Sequence, residues 1–200
     1  MSKQLHVIYI PGIGDHKLGR QRMAVDMWKH YGVEPEICAM IWNDGQSWES
    51  KFKLLLNRID ELVAEGNLVG LVGVSAGATA AINAFAARKD ILVGVVCVAG
   101  KINRPETVGG LYKAQNPAFI TSAYACQDAL KTLGTDDLGR IQSRYGLFDN
   151  IVLTRDSHIN GAHNKRVFMI LHIPIIAMQI YLGAPSILKF LKRQARLSEK

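Results

Sequence analysis

Residues 69–88 read VGLVGVSAGATAAINAFAAR, and the fold of the whole chain follows from how they are parsed. Val69–Val74 is continuously apolar, as expected of a strand covered on both faces. Ala76–Arg88 is alanine-rich, and alanine is the strongest helix former. Between the two lies Gly73-Val74-Ser75-Ala76-Gly77, the pattern G-x-S-x-G in the strand–turn–helix context that an exposed nucleophilic serine requires. A serine on so sharp a turn has strained backbone angles, and only small neighbours keep the turn from clashing. At the head of a helix its hydroxyl lies beside backbone N–H groups able to stabilise a developing oxyanion. The competing reading is a tight turn in an Ala/Gly-rich segment. The strand before it and the helix after it favour Ser75 as a nucleophile.

Working outward, the same alternation recurs. Leu5–Ile10, Glu36–Trp42, Ile91–Ala99, Arg140–Leu147 and Val167–Leu171 read as further strands. His16–Tyr31, Trp48–Ala64 (with Ser47 as N-cap) and Pro117–Leu133 read as helices. A last helix opens at Pro174 and is interrupted near Gly183–Pro185. Strands separated by helices imply parallel crossovers. The expected class is α/β: about six mostly parallel strands with helices on both faces, a three-layer sandwich. No repeat or composition shift divides residues 1–200, so one domain without a large cap is expected. Residues 186–200 form a basic terminal helix or tail. In open parallel sheets chemistry gathers at the carboxyl ends of the strands.

The loop after the first strand, Pro11-Gly12-Ile13-Gly14-Asp15, is the second informative stretch. Its glycines allow a tight turn that leaves an N–H free, so Ile13 and Ala76 are the candidate oxyanion donors. Gly12, Gly14 and His16 are candidate substrate contacts. A phosphate-binding loop is the rival, but position 17 is lysine where G-x-G-x-x-G needs glycine, and no G-x-x-x-x-G-K-[ST] occurs.

With PGIGD after the first strand and GVSAG after the third, the chain resembles the α/β-hydrolases, and among them the small lidless bacterial lipases and esterases. The resemblance runs through nearly the whole chain. It departs at Pro11, where the family has the histidine of a His-Gly pair that supports the loop. It implies a Ser-Asp-His triad in that chain order. Asp136, Asp137, Asp149 and Asp156 are the possible acids. Asp149, in Gly146-Leu147-Phe148-Asp149-Asn150-Ile151-Val152, matches the family's G-x-x-D-x-x-V at a strand end. Asp136 and Asp137 precede the fifth strand, at the wrong end of the sheet. For the histidine, His158, His163 and His172 remain. His172 directly follows VFMIL and precedes the last helix, so it is favoured; His163 is the rival if the preceding strand is a poorer one.

The resemblance implies hydrolysis of a carboxylic ester through an acyl-enzyme. Thioester or amide substrates, or a binding protein that keeps the fold without turnover, are the alternatives. No cofactor is expected, and the six histidines show no metal-ligand spacing.

Composition bounds the remainder. Hydrophobic residues make up 48% and charged residues 20% of the 200, which excludes a disordered chain. The three cysteines, Cys38, Cys97 and Cys126, have no CxxC spacing and read as reduced thiols in a cytoplasmic protein. The start lacks the apolar length of a secretory signal, and Val167–Leu182 is too short and interrupted to span a bilayer. The net charge of +7 is concentrated in the last twelve residues, where Lys189, Lys192, Arg193, Arg196 and Lys200 face only Glu199. Ile187, Leu188, Phe190 and Leu191 give that tail an apolar side. It is expected to pack on the sheet, with weak docking on an anionic membrane as the other reading. No aromatic-interleaved basic motif points to nucleic acid, so a small ester or lipid-like molecule is the expected partner.

Overall fold

A computed structural model describes residues 3–199; Lys200 of the basic tail lies outside them. Six strands form one wholly parallel sheet in the order β2-β1-β3-β4-β5-β6. They are β1 Leu5–Ile10, β2 Glu34–Ile37, β3 Leu68–Val74, β4 Leu92–Val98, β5 Ile141–Tyr145 and β6 His163–Arg166. The helices are α1 Gly19–Asp26, α2 Trp48–Ala64, α3 Gly77–Ala87, α4 Gly110–Gln115, α5 Pro117–Lys131, α6 Thr135–Leu138, α7 Thr154–Ser157, α8 His172–Tyr181 and α9 Ala184–Ser198. The strand order reverses between β1 and β3, so the loops after these two strands open at the crevice where open α/β sheets bind ligands.

Two apolar layers hold the sheet. One packs α2, α3 and α5 on it through Leu55, Ile59, Ile82, Phe85 and Phe119. The other packs α1, the 3-10 turn after it, α8 and α9 on the opposite face through Val25, Trp28, Ile175, Ile187 and Leu191. The central strands β3 and β4 are buried along almost their whole length, which is why they read as unbroken apolar runs. Ser47 caps α2 by accepting the N–H of Ser50 at 3.3 Å, in line with the expectation for that helix start.

Several boundaries differ from the sequence reading, and the differences have causes. The expected first helix, His16–Tyr31, is α1 followed by a 3-10 turn over Met27–Tyr31, ended by Gly32 at φ 65°. The second strand is Glu34–Ile37 rather than Glu36–Trp42. Beyond it the chain leaves the sheet, and Met40 and Trp42 bury their side chains under the loop after β1 instead. The largest departure is the sixth strand, expected at Val167–Leu171 and found at His163–Arg166. Its backbone pairs with Gln142–Tyr145. As an edge strand it needs ladder partners but no apolar face, and its side chains are mostly exposed. After Val167 the ladder breaks where the N–H of Met169 turns back onto the Val167 carbonyl at 2.8 Å. The apolar VFMIL run therefore becomes a loop, with Phe168 89% exposed.

The tail follows the packed alternative. Ile187, Leu188 and Leu191 of α9 are buried on the sheet, and Phe190 is half-buried against the ring of His163. No single described helix is long and apolar enough to cross a membrane; α8 and α9 bend by 63° at their junction. Cys38, Cys97 and Cys126 are all free thiols, and burial pushes the Cys38 thiol up to about 11.

Candidate active site

Ser75 sits at φ +51°, in the left-handed region, between the last residue of β3 and the first turn of α3. That conformation is costly for a residue with a side chain and persists only where the surroundings impose it. Here they do. The N–H of Ser75 donates to the Val98 carbonyl at 2.9 Å, tying the turn to β4. The glycines of the motif are required by space. A Cβ on Gly77 would stand 2.1 Å from the Ile10 carbonyl oxygen, and one on Gly73 would stand 2.5 Å from the Gly77 oxygen. The elbow is thus wedged between β1 and its own helix.

The first loop passes directly over it. A Cβ on Gly12 would come within 2.8 Å of the Ser75 Cβ. The loop is fixed from below: the indole of Trp42 donates to the Pro11 carbonyl at 3.3 Å, and the buried Asp15 accepts the Ile41 N–H at 2.5 Å. Gly14 takes φ +91° to make the turn. Neither the N–H of Ile13 nor that of Ala76 donates to an acceptor among the described residues. His16 stands exposed on the outer part of the loop.

The candidate acid comes from the irregular loop after β5 and the candidate base from the first residue of α8. Asp149 lies four residues beyond β5, and its Oδ1 accepts the N–H groups of Ile151 and Val152, both at 2.8 Å. Its Oδ2 lies 2.7 Å from Nδ1 of His172, whose Nε2 lies 2.9 Å from Ser75 Oγ. The carboxylate accepts, so the proton is on Nδ1 and the Nε2 lone pair is left to accept the serine O–H. Asp149 and His172 are both buried. Burial works to raise the Asp149 carboxyl, but the bonds from His172 and from the two N–H groups outweigh it and hold the carboxyl below its usual value. His172 opens α8 after Leu171, which takes φ +68°, and its own N–H donates to Asn150 Oδ1 at 3.1 Å. Sequence reasoning passed over Asn150, whose signal was its place beside Asp149 in a turn.

The other candidates are elsewhere. His163 begins the exposed edge strand β6, and the ring of His158 lies 6.3 Å from that of Tyr145. Asp137 pairs with Lys89 and Arg140 and accepts the Gly134 N–H at the start of α6; Asp136 is exposed. Asp156 is buried like Asp149 but is taken by two cations, Lys101 and Arg104. Its carbonyl accepts the N–H groups of Ile102 and Asn103 at 3.1 and 2.9 Å. This clamp joins the loop after β4 to α7. The spacing of these residues along the chain gave no sign of it. Among the described residues no group of three or more histidines, cysteines or carboxylates is placed to hold a metal.

No family model matches the chain, and no curated protein matches it. Solved structures do. It is similar to Est1E from Butyrivibrio proteoclasticus, with a TM-score of 0.71 at 15% identity over 98% of this chain and 90% of that one. It is similar to a structure from the LipS and LipT pair of metagenome-derived lipolytic enzymes, with a TM-score of 0.69 at 10% identity over 96% and 95%. A monoacylglycerol lipase from Paleococcus ferrophilus gives 0.63 at 14% identity over 94% of each chain. The likeness extends over nearly all of both partners, and no large cap is evident among the described residues. Its parallel six-stranded sheet, the elbow after β3 and these matches together show that the chain has the α/β-hydrolase fold.

Proposed function

We propose that the protein is a serine hydrolase that cleaves carboxylic esters with Ser75, His172 and Asp149. The observation that carries this reading is the unbroken hydrogen-bonded chain from Ser75 Oγ through the imidazole to the buried Asp149 carboxylate, with the serine on a strained elbow. Such a chain does for a hydroxyl what water cannot: it removes the proton as the oxygen attacks.

Ser75 Oγ attacks the ester carbonyl carbon while its proton passes to His172 Nε2. Asp149 keeps the imidazole in the Nδ1–H tautomer and stabilises the imidazolium. The carbonyl oxygen, now an anion, is held by the N–H groups of Ile13 and Ala76. The tetrahedral adduct collapses, His172 gives its proton to the departing alcohol oxygen, and an acyl-serine remains. Water then attacks that acyl group with His172 again as base, and the carboxylic acid leaves with Ser75 restored. Gly12 and Gly14 keep the loop flat enough for the ester to approach, and His16 stands at its outer edge as a substrate contact.

The test is a panel of activated esters, thioesters and amides of graded acyl length, with fluorophosphonate labelling as an independent readout. Ester turnover is expected to fall by roughly 10⁴-fold or more in Ser75→Ala, with labelling lost. Labelling that survives Ser75→Ala, or turnover unchanged by it, overturns the assignment. Folded wild type that neither labels nor turns over any member of the panel supports the non-catalytic reading instead.

A further inference from the structure

The segments around Asp149 and His172 also carry a run of exposed large apolar side chains. They run side by side. The Leu147 N–H donates to the Met169 carbonyl at 2.8 Å, the Leu171 N–H donates to the Phe148 carbonyl at 2.9 Å, and Phe148 and Ile170 form a bridge between them. Fixed on this pair, Phe148, Ile151, Phe168, Ile170, Leu171 and Ile173 all project into solvent, Phe168 at 89% and Ile173 at 66% exposure. Each stands within four residues of Asp149 or His172. At the same end of the sheet α4 buries none of its residues and exposes Leu111 and Tyr112. Scattered single apolar side chains are normal on a protein surface; a cluster held on one rigid pair of loops marks a contact surface.

Along the paired loops and the elements they join, the exposed charges have one sign. Between residues 147 and 182 the acids are Asp149 and Asp156, both buried and both engaged, whereas Arg155, Lys165 and Arg166 are exposed. The first loop repeats the arrangement, with Asp15 buried and Lys17 exposed. Arg155, Arg166 and Lys17 form no ion pair among the described residues. An apolar cluster on segments that also carry unpaired, exposed cations is complementary to a surface that offers a hydrocarbon interior beneath anionic headgroups. A second copy of the chain fits less well, because an isologous contact sets the same cations against each other. The basic helix α9 fits less well too, since its apolar side is already spent on the sheet.

We propose that this end of the molecule docks on an anionic lipid bilayer, with Phe168 and Ile173 inserted and Arg155 and Arg166 on the headgroups. Ser75 then faces esters held in that surface. The docking stands on the exposed cluster and its charges alone; the substrate class rests on the hydrolase reading above.

The docking is tested on the full chain carrying Ser75→Ala, which consumes nothing, by co-sedimentation with vesicles of phosphatidylcholine containing or lacking phosphatidylglycerol. Binding is expected to be at least about tenfold stronger with phosphatidylglycerol present. Phe168→Ser with Ile173→Ser is expected to weaken it by about tenfold at unchanged circular dichroism and melting temperature. Lys189→Glu with Arg193→Glu on α9 is expected to change it by less than about twofold, because the cations of the proposed surface lie on other segments. Absence of binding to either vesicle, equal binding by the Phe168→Ser/Ile173→Ser protein, or loss of binding through the α9 pair each overturns the proposal. So does a dimer on size exclusion that the Phe168→Ser/Ile173→Ser protein dissolves, which makes a second copy the occupant. The substrate class is read on protein with Ser75 intact, as the ratio of turnover of a vesicle-borne long-chain ester to that of a soluble short-chain one. The ratio is expected to fall about tenfold in Phe168→Ser/Ile173→Ser. An unchanged ratio refutes the substrate class, and loss of all turnover in the wild type refutes the hydrolase reading while leaving the vesicle result in force.

Discussion

The two halves of the candidate site are built by opposite means. Ser75 is delivered by regular structure: a buried strand, a helix, and glycines so tightly packed that a single methyl group has no room. Asp149 and His172 are delivered by an irregular loop and by the first residue of α8 after another, aligned by a handful of hydrogen bonds and flanked by exposed apolar side chains. The serine side stores strain, and rigid elements on both sides of the turn hold it there. The acid–base side stores none of that kind except at Leu171, where φ is +68°, and relies on polar satisfaction instead. A turn under strain needs stiff walls, whereas a carboxylate and an imidazole need partners for every lone pair and proton.

The sharpest way to break this contrast is to exchange charge for an amide at the two buried aspartates. Asp149→Asn is expected to lower kcat by roughly 10⁴-fold, since the amide no longer holds the Nδ1–H tautomer, with a smaller loss in urea unfolding than the next substitution. Asp156→Asn is expected to do the reverse. It leaves the buried Lys101 without its counter-charge and should cost about 3 kcal/mol in urea unfolding, while kcat falls far less. Equal effects of the two substitutions on rate would mean that Asp156 shares the chemistry.

Gly77→Ala probes the serine side. Its Cβ would stand 2.1 Å from the Ile10 oxygen, so the elbow and β1 must part, at a cost of about 2–3 kcal/mol and with loss of turnover. A variant of full stability would show that the elbow is softer than its packing implies.

The acid side answers to pH. The Asp149 carboxyl is held below its unfolded value of 3.8 against the opposing effect of burial, so its contribution to stability is complete above that value and is lost as pH falls through the lowered one. Its titration, followed by carboxyl NMR, is expected to begin at lower pH than that of an ordinary aspartate and to move upward in His172→Ala. A titration that does not move would separate the two residues. The smallest effect belongs outside both regions. Ser47→Ala removes the cap of α2 and should cost about 1 kcal/mol with kcat unchanged.

What was legible before the structure divides along the same line. The elbow, its strand and its helix were readable within a residue or two, because β3 and α3 are long, uniformly apolar or alanine-rich, and joined by a motif whose spacing is dictated by sterics. Asp149 was readable from its place after the fifth strand together with the family pattern around it. His172 was chosen on a premise that did not hold. The VFMIL run before it is a loop, and the strand is the polar His163–Arg166. Apolar character marks burial, and an edge strand is held by its ladder instead, so hydropathy pointed four residues too far along the chain.

The amino-acid sequence by itself determined the alternation of strand and helix, the turn that must carry Ser75, and the excess of cations. These depend on contacts between near neighbours and on the spacing of small and apolar residues. Only the tertiary structure decided which histidine meets the serine and which buried aspartate lies within hydrogen-bond distance of that histidine. It also decided where the charge and the apolar surface come together: not on the tail, whose apolar side is covered, but around the loops that hold Asp149 and His172. Such pairings join residues as far apart as 75 and 172, and no local preference encodes a distance that only the assembled sheet and its loops bring to 2.9 Å.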